Sequence, residues 1–473
     1  MKFGTSGLRG LVTDLEGRAS ALYSHAFAKH LISSGLAKTG DKILVGRDLR
    51  PSSPSISATC IGALHEAGLD PIDCGDVPTP VLALYGLHMG APSLMITGSH
   101  IPADRNGIKF YRADGEIDKG DEVNITAIAA DLDKGEILDL PGEAACSKAA
   151  ALDLFNQRIQ ALLPTNALSG LKVGVYQHST VARSILVDIL RHYGADVVEL
   201  GFSDTFIPVD TEAVSEETLS LLRDWAREYQ LDAIVSADGD GDRPLVADET
   251  GTPLRGDLLG LVTARALSAK VVVTPVTSNS GIEANGSFEV VRTKVGSPFV
   301  IAGMNEALAE GQTGVMGFEA NGGLLTASTF ELPGCSLLPL PTRDSFLPIL
   351  TVLSLSAEQK KPLSSISVDF RLPVAAADRL ENFPIETSGA LMADLRQSRD
   401  NLNSFLSPIG AVRSVTDIDG LRATLADGSV VHLRPSGNAP EMRCYVEADT
   451  EGRASGLLEA SLNLVRRYAE QKQ

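Results

Sequence analysis

Cysteine is scarce in this chain. Cys60, Cys74, Cys146, Cys335 and Cys444 form no CxxC pair, no metal-ligand spacing and no even framework. Neither a zinc module nor a disulfide-stapled secreted fold is expected, and the five read as reduced core or surface thiols. Long apolar runs are missing too, since nothing approaches the ~18 residues that a membrane span needs. Met1 leads straight into KFGTSGLRG with no apolar signal-peptide core, so a cytoplasmic protein is expected. Positive charge is in deficit: 41 Lys and Arg against 60 Asp and Glu leave a net charge of −19. Nucleic-acid and anionic-membrane partners need a basic surface field, and neither is expected. An anionic small ligand remains compatible, in a local basic pocket set against the overall sign.

What is present is an ordinary globular composition, 44% apolar and 21% charged. At ~100–200 residues per domain the length suggests three or four domains. Over the first three quarters, apolar runs such as KILVG (42–46), SLMIT, LKVGVY, LDAIVSA, KVVVTPV and TGVMGF alternate with helical stretches. In the first of these stretches Ile56, Cys60, Ala63, Leu64 and Ala67 recur at helical spacing. Runs of this kind are strands buried on both faces, and the alternation predicts α/β units with parallel or mixed sheets. One repeat is visible. Gly68, Asp70 and Gly75 have counterparts 126 residues on, at Gly194, Asp196 and Gly201. Both copies read as helix end, glycine cap, short strand and turn. A third copy is expected within 257–360 from its strand–helix alternation alone. Beyond the polar segment SAEQKKPLSS, SVDFRLP, SVTDIDGLRATLADGSVVHLRPSG and EMRCYVEAD read as alternating strands. Helical stretches near 387–398 and 453–470 flank them, predicting a separate α+β domain.

Four loops carry residue types suited to chemistry, and a fifth raises a question. DGDGDRP follows LDAIVSA and sets Asp238, Asp240 and Asp242 at alternate positions between glycines. Three carboxylates this close repel by kcal/mol amounts in a partly buried site unless a cation is shared. An EF-hand would place Glu249 twelfth but needs glycine where Arg243 stands, and a helix where a strand precedes. A solvated acidic turn is the plain alternative, and a catalytic Mg²⁺ site is favoured. Three carboxylates do not complete an octahedral Mg²⁺ shell, so the loop asks for a phosphate from elsewhere. Ser99, beside His100 in the Gly98–Pro102 turn of ITGSHIP, would supply it if phosphorylated. RPSGNAPEMR offers Arg434, Ser436, Gly437, Asn438 and Arg443 as an anion-binding turn, against a plain hairpin. GFEANGG pairs Glu319 with Asn321 at a spacing suited to vicinal sugar hydroxyls, and GTSGLRG brackets Arg9 with glycines.

In this order and at these intervals, GTSGLRG, TGSHIP, DGDGDR and RPSGNAPEMR resemble the α-D-phosphohexomutase superfamily over the whole chain. The resemblance implies four domains around a central cleft, three related α/β domains with mixed sheets and a C-terminal α+β domain. The expected divisions are 1–147, 148–256, 257–360 and 361–473. It implies a covalent phosphate on Ser99, Mg²⁺ held by Ser99, Asp238, Asp240 and Asp242, and hexose 1,6-bisphosphate as activator. Lys109, in the NGxK-like segment, carries a proposed acid/base role, with His100 the other candidate and Arg9 from the N-terminal loop. Arg243, Glu319 and Asn321 fall on the substrate side. Arg434, Ser436, Gly437, Asn438 and Arg443 fall on the phosphate that does not react. Two departures stand out. Where GEMSGH is common, Asn321 replaces serine and Gly323 replaces histidine, so no role of that histidine carries over. Where GTEP is common this chain reads GNAP, which loses the acid but keeps a donor at Asn438. Gly98 and Ile101 vary a TASHNP-like loop yet leave Ser99 and His100 in place. The loops look most like a bacterial phosphomannomutase branch, implying exchange between mannose 6-phosphate and mannose 1-phosphate. Phosphoglucomutase or dual specificity is the alternative, and an inactive sugar-phosphate sensor a remoter one. Small-molecule hexose phosphates are the expected partners, with a monomer or weak homodimer.

Overall fold

The apolar runs form strands and the segments between them form helices. A computed structural model of the chain describes residues 2–4, 7–135, 137, 139–436 and 440–471. KILVG becomes the strand Lys42–Arg47, SLMIT becomes Ser93–Ile96 and LKVGVY becomes Lys172–His178. LDAIVSA, KVVVTPV and TGVMGF become Ala233–Ala237, Val271–Pro275 and Val315–Phe318. The last three, like Ser93–Ile96, are buried along their length, as strands covered on both faces must be.

The repeat holds in three dimensions. Helix Ser53–Glu66 runs out into Gly68 at φ +95°, and helix Arg183–His192 into Gly194 at φ +85°. That left-handed turn suits glycine, and it reverses the chain into a strand. The new strands, Asp70–Asp76 and Asp196–Phe202, lie parallel to the strand before the helix, pairing Asp70 with Lys42 and Asp196 with Lys172. A third strand adds in parallel on the other side of the first, and a fourth returns antiparallel, in both copies. The third copy repeats the pattern from its first strand onward. Val271–Pro275 runs parallel to Val315–Phe318, which pairs antiparallel with Leu324–Thr326. The sheets are therefore mixed, as expected. Each third strand ends in a functional loop before its antiparallel partner: residues 97–104, 238–243 and 319–323. Carboxyl ends of parallel strands are where open α/β sheets present their ligand loops.

Packing divides the chain into two units, Met1–Val273 with Gly296–Asp369, and Thr274–Val295 with Phe370–Gln473. In the first, Phe27, Leu31, Ile43, Ile56, Leu64, Leu94 and Ile108 form the core of the first copy. Burying each such side chain contributes about 1.5–3 kcal/mol. The second unit is built on an antiparallel sheet in the order Val374–Leu380, Met442–Ala448, Val430–Pro435, Leu421–Leu425, Val412–Thr416. Leu391, Leu395, Leu457, Leu462 and Val465 of helices Ile385–Gln397 and Glu451–Gln471 cover its inner face, giving the expected α+β unit. Among the described residues no helix is long and apolar enough to cross a membrane.

Two expectations fail here. SVDFRLP is not a strand: Leu363–Asp369 is helical and the strand begins at Val374. Alternation at Val368, Phe370 and Leu372 mimics a strand, but Leu363, Ile366 and Phe370 are the buried positions, at helical spacing, while Val368 is 71% exposed. SAEQKKPLSS is not an open connection either, because it ends helix Phe346–Gln359 and starts the next. Helix Arg399–Leu406, capped by the Ser398 hydroxyl on the Asn401 N–H, was not anticipated.

Candidate functional site

Asp238, Asp240 and Asp242 are at most 1% exposed, and one oxygen of each lies within 4.8 Å of the others. The outer oxygens are spoken for. Asp238 Oδ1 accepts the N–H groups of Asp242 and Arg243 at 3.1 and 3.2 Å, and its Oδ2 accepts the Ser99 hydroxyl at 2.5 Å. Asp240 Oδ2 accepts from Thr79 Oγ1 at 2.5 Å and Lys109 Nζ at 2.6 Å. Asp242 Oδ2 accepts from Lys109 Nζ at 2.6 Å and Arg343 Nε at 3.0 Å. The Oδ1 atoms of Asp240 and Asp242 are buried and have no hydrogen-bond partner among the described residues. An orphaned buried acceptor costs about 1–3 kcal/mol, more when charged. Two orphaned carboxylate oxygens beside a serine hydroxyl form a donor set of hard oxygens, which fits a cation of the Mg²⁺ class. Glu249 takes no part. It accepts the N–H and hydroxyl of Ser364 instead, which disposes of the EF-hand.

The charges around the loop set its protonation. Burial, then the neighbouring Asp240 and Asp242, push the Asp238 carboxyl well above the usual carboxylate range. Burial also opposes ionisation of Asp242, but Arg343, Lys109 and Arg243 outweigh it and hold that carboxyl below its ordinary value. Burial pulls Lys109 down, and Asp240 with Asp242 more than offset it, so the ammonium is held.

Ser99 is 1% exposed and has a left-handed backbone, φ +53°. His100 Nδ1 accepts from Arg243 Nη1 at 2.8 Å, which leaves the ring proton on Nε2, 3.9 Å from Asp210 Oδ2. Burial, then the Arg243 charge, push this imidazole down to about 4, so it is neutral at pH 7. Arg9 belongs to the same cluster. Burial, then Arg243 and Arg343, pull its guanidinium down to about 10, and no protein acceptor holds it among the described residues. Arg9, Arg243, Arg343 and Lys109 thus stand among the carboxylates of the Asp-rich loop. Glu319 Oε2 accepts from Arg343 Nη1 at 2.9 Å. Asn321 Oδ1 is committed to its own turn through the Gly323 N–H at 2.9 Å.

Ser99, His100, Lys109, Arg9, Asp238, Asp240, Asp242, Arg243 and Glu319 are thus linked by hydrogen bonds or close charges within the first unit. The C-terminal loop lies in the second unit. There Arg434 Nε donates to Asp419 Oδ2 at 2.8 Å, Arg443 Nη2 to Glu441 at 3.3 Å, and the Ser436 N–H to the Glu441 carbonyl at 2.9 Å. Gly437 and Asn438 lie outside the described residues. Sequence reasoning missed Arg343, Thr79 and Arg379. Arg343 had a signal, a charged pair inside the apolar run LLPLPTRDSFLPIL. Its stem also fills the space at Gly323, where a Cβ would stand 2.4 Å from Arg343 Cδ. Arg379 is found only through register: it pairs with Arg443, which pairs with Arg434 on the next strand. Like charges set directly opposite destabilise a sheet, and here Glu381, Glu441 and Asp419 offset the row of three.

Relatives carry the same organisation. The chain matches, in order, the phosphoglucomutase/phosphomannomutase alpha/beta/alpha domain I over residues 1–136, domain II over 153–251, domain III over 255–371 and the C-terminal domain over 380–463. A phosphomannomutase of Sinorhizobium fredii is 56% identical over 465 residues, 98% of each chain. A phosphomannomutase of Salmonella muenchen is 39% identical over 471 residues, 98% of this chain and 96% of that one. The crystal structure of a phosphoglucomutase/phosphomannomutase family protein from Burkholderia thailandensis shares the fold with a TM-score of 0.78 at 21% identity, covering 99% of this chain and 97% of that one. On this likeness along its whole length, the chain belongs to the phosphoglucomutase/phosphomannomutase family of the α-D-phosphohexomutase superfamily, a family of isomerases that relocate a phosphoryl group.

Proposed function

We propose that this chain interconverts mannose 6-phosphate and mannose 1-phosphate in the cytoplasm, with Ser99 as the phosphoryl carrier. The observation that carries the reading is the Ser99 hydroxyl on Asp238 at 2.5 Å, beside the two orphaned oxygens of Asp240 and Asp242. Asp238, Asp240 and Asp242 would hold Mg²⁺ together with the Ser99 phosphate. Bound there, the cation neutralises charge on the transferring group. In the forward half, the Oγ–P bond of phosphoserine 99 breaks and a P–O bond forms at O1 of mannose 6-phosphate. The electron pair of the broken bond stays on Oγ, and the O1 proton leaves to a base. The bound 1,6-bisphosphate then presents its other end. Its P–O6 bond breaks, Ser99 Oγ takes the phosphoryl group, and the proton returns to O6.

Lys109 is the better candidate for that base. With the charge of Asp240 and Asp242 neutralised, burial, the largest influence on Nζ, and the Arg343 charge both drive the ammonium toward the neutral amine. His100 Nδ1 takes its shorter contact from Arg243 at 2.8 Å and lies 3.2 Å from Ser99 Oγ, so its ring orients that guanidinium beside the carrier hydroxyl. Arg9 and Arg243 supply positive charge for the phosphoryl group in flight. Glu319, braced by Arg343, accepts from sugar hydroxyls, and Asn321 keeps its amide N–H groups for the same task. Arg434, Ser436, Gly437, Asn438 and Arg443 hold the phosphate that does not react.

Two full-length relatives named phosphomannomutase support mannose over other hexoses. Glucose phosphates are the second reading, because the two sugars differ by one hydroxyl orientation. Coupled assays with mannose, glucose and glucosamine phosphates, primed with hexose 1,6-bisphosphate, test the substrate, and intact mass tests the carrier. Turnover highest on the mannose phosphates with a phosphate that Ser99→Ala removes is the expected result. Preference for glucosamine phosphates, or full activity with Ser99 unmodified throughout, overturns it.

A further inference from the structure

Arg50 lies within the serine loop with its side chain fully buried. Its guanidinium grips three loop carbonyls and that of Arg105, where the next strand begins. Nη1 donates to Pro102 and Arg105, both at 2.8 Å, and Nη2 to Ser99 at 3.0 Å and Ile101 at 2.6 Å. Nε faces Asp48 Oδ2 at 3.3 Å, and Cζ stands 4.1 Å from the centre of the Phe206 ring. Asp48 also braces the loop from its other side. It accepts from Thr97 Oγ1 at 2.7 Å, and Thr97 Oγ1 in turn accepts the Ser99 N–H at 2.7 Å. A buried guanidinium costs several kcal/mol to desolvate, which a loop needing only to turn would have no cause to incur.

The conformation held this way is an unfavourable one. A left-handed backbone at a non-glycine residue costs about 1–3 kcal/mol, and it persists only where the surroundings over-determine it. Ser99 has it, at φ +53°. Gly98 records the fit: a Cβ there would stand 2.6 Å from Arg50 Cζ and 2.7 Å from Nε. Where TASHNP-like loops have alanine, this chain has glycine, and Arg50 uses the room. Lysine has no planar fork and cannot reach four carbonyls at once.

We propose that Arg50, admitted by Gly98, is a positioning residue for phosphoryl transfer: it fixes Ser99 in the left-handed conformation that aims Oγ at Asp238. The proposal rests on the phosphoserine reading above. Arg50 touches neither sugar nor phosphate, so its loss reaches the chemical step and leaves sugar binding alone. Wild type, Arg50→Lys, Gly98→Ala and the double variant are compared in steady state. The phosphate gained by Ser99 is also followed by quenched-flow intact mass after mixing dephosphorylated protein with glucose 1,6-bisphosphate. Each single substitution is expected to lower kcat and the Ser99 phosphorylation rate by ~10²-fold, with KM within ~3-fold, as for misplacement of a reacting atom by about 1 Å. In the Arg50→Lys background, Gly98→Ala should cost less than ~3-fold, because the guanidinium that it would strike is gone. A wild-type phosphorylation rate in Arg50→Lys, or an equal cost of Gly98→Ala in both backgrounds, overturns the proposal. If Arg50→Lys does not fold, a wild-type rate in Gly98→Ala overturns it alone. A wild type that never gains phosphate on Ser99 removes the phosphoserine reading and this proposal with it.

Discussion

The Asp-rich loop and the arginine-bearing strand ends of the C-terminal unit both carry residues suited to a phosphorylated sugar, and they are built in opposite ways. In the first, three carboxylates, Lys109 and Arg343 are all nearly or wholly buried, and their charges are balanced against one another in a dry site. In the second, Arg434, Arg443 and Arg379 have side chains 15%, 37% and 50% exposed, each beside an acid that water also reaches. The exposed pair of Arg379 is worth ~0–1 kcal/mol, and the half-buried pair of Arg434 is still reached by water. On the function proposed above, the difference follows from the work. A group that stabilises a transition state must already be fixed when the charge develops, which favours burial. A group that holds a spectator phosphate must let go of it when the bisphosphate reverses, which favours solvation.

The sharpest way to break this contrast is at its dry end. Asp240→Asn removes an orphaned oxygen's charge and one of the two anchors of Lys109. We expect kcat to fall by at least ~10²-fold, the scale of losing one preorganised electrostatic contact, and titrated Mg²⁺ binding to weaken in parallel. Unchanged Mg²⁺ affinity would remove the loop from the metal site. At the solvated end, Arg434→Gln should act mainly on KM. Loss of charge-assisted hydrogen bonds worth about 1.5–3 kcal/mol raises KM by ~10–100-fold, with kcat within several-fold. A collapse of kcat at constant KM would put both loops in one class.

How much of this was legible in the sequence also divides between the two regions. Asp238, Asp240 and Asp242 are neighbours in sequence and in space, so spacing alone exposed them. The repeat was visible because Gly68 and Gly194 occupy a backbone conformation that other residues resist. Arg50 and Arg379 were not legible, and Arg343 showed only as half of a charged pair in an apolar run, without its role. Their roles depend on contacts 24 to 101 residues away, on the filling of space at Gly323 and Gly98, and on sheet register. A sequence shows which residues have no Cβ, but not which side chain uses the room. The misread strand at SVDFRLP has the same origin, since a short apolar alternation and a helical stripe share residues until packing selects one.

Gly323 offers a third, smaller test. Histidine at this position, common in relatives of the GEMSGH type, would bring a Cβ to 2.4 Å from Arg343 Cδ and 2.7 Å from its Cγ. Gly323→His should displace Arg343 from Asp242 and Glu319, lowering stability by about 1–3 kcal/mol as overpacking does. Thermal melting checks the stability and the mutase assay the site. A variant with native Tm and native kcat would show that the Arg343 stem yields to the added Cβ and that Gly323 is not needed to seat it.

The last and smallest effect probes what the two loops share. Each rests on a buried neutral histidine that donates to a backbone carbonyl: His178 Nε2 to Ala237, just before Asp238, at 2.8 Å, and His432 Nε2 to Asp419, whose carboxylate holds Arg434, at 2.6 Å. Burial is the first cause in both cases, and it pushes each imidazole down to about 4 from an ordinary 6.5. A folded-state pKa below the unfolded one means that the unfolded chain takes up the proton first. The stability from each histidine is therefore intact above pH 6.5 and is lost as pH falls toward 4, by up to about 1.4 kcal/mol per unit. His432→Gln keeps a side-chain N–H for the Asp419 carbonyl and removes the titration. The Tm of the metal-free wild type should fall between pH 7 and 5, and this variant should fall less steeply over the same interval. Identical slopes would mean that His432 is already charged in the folded unit, with Asp419 as its counter-ion, and that the two loops do not share this support.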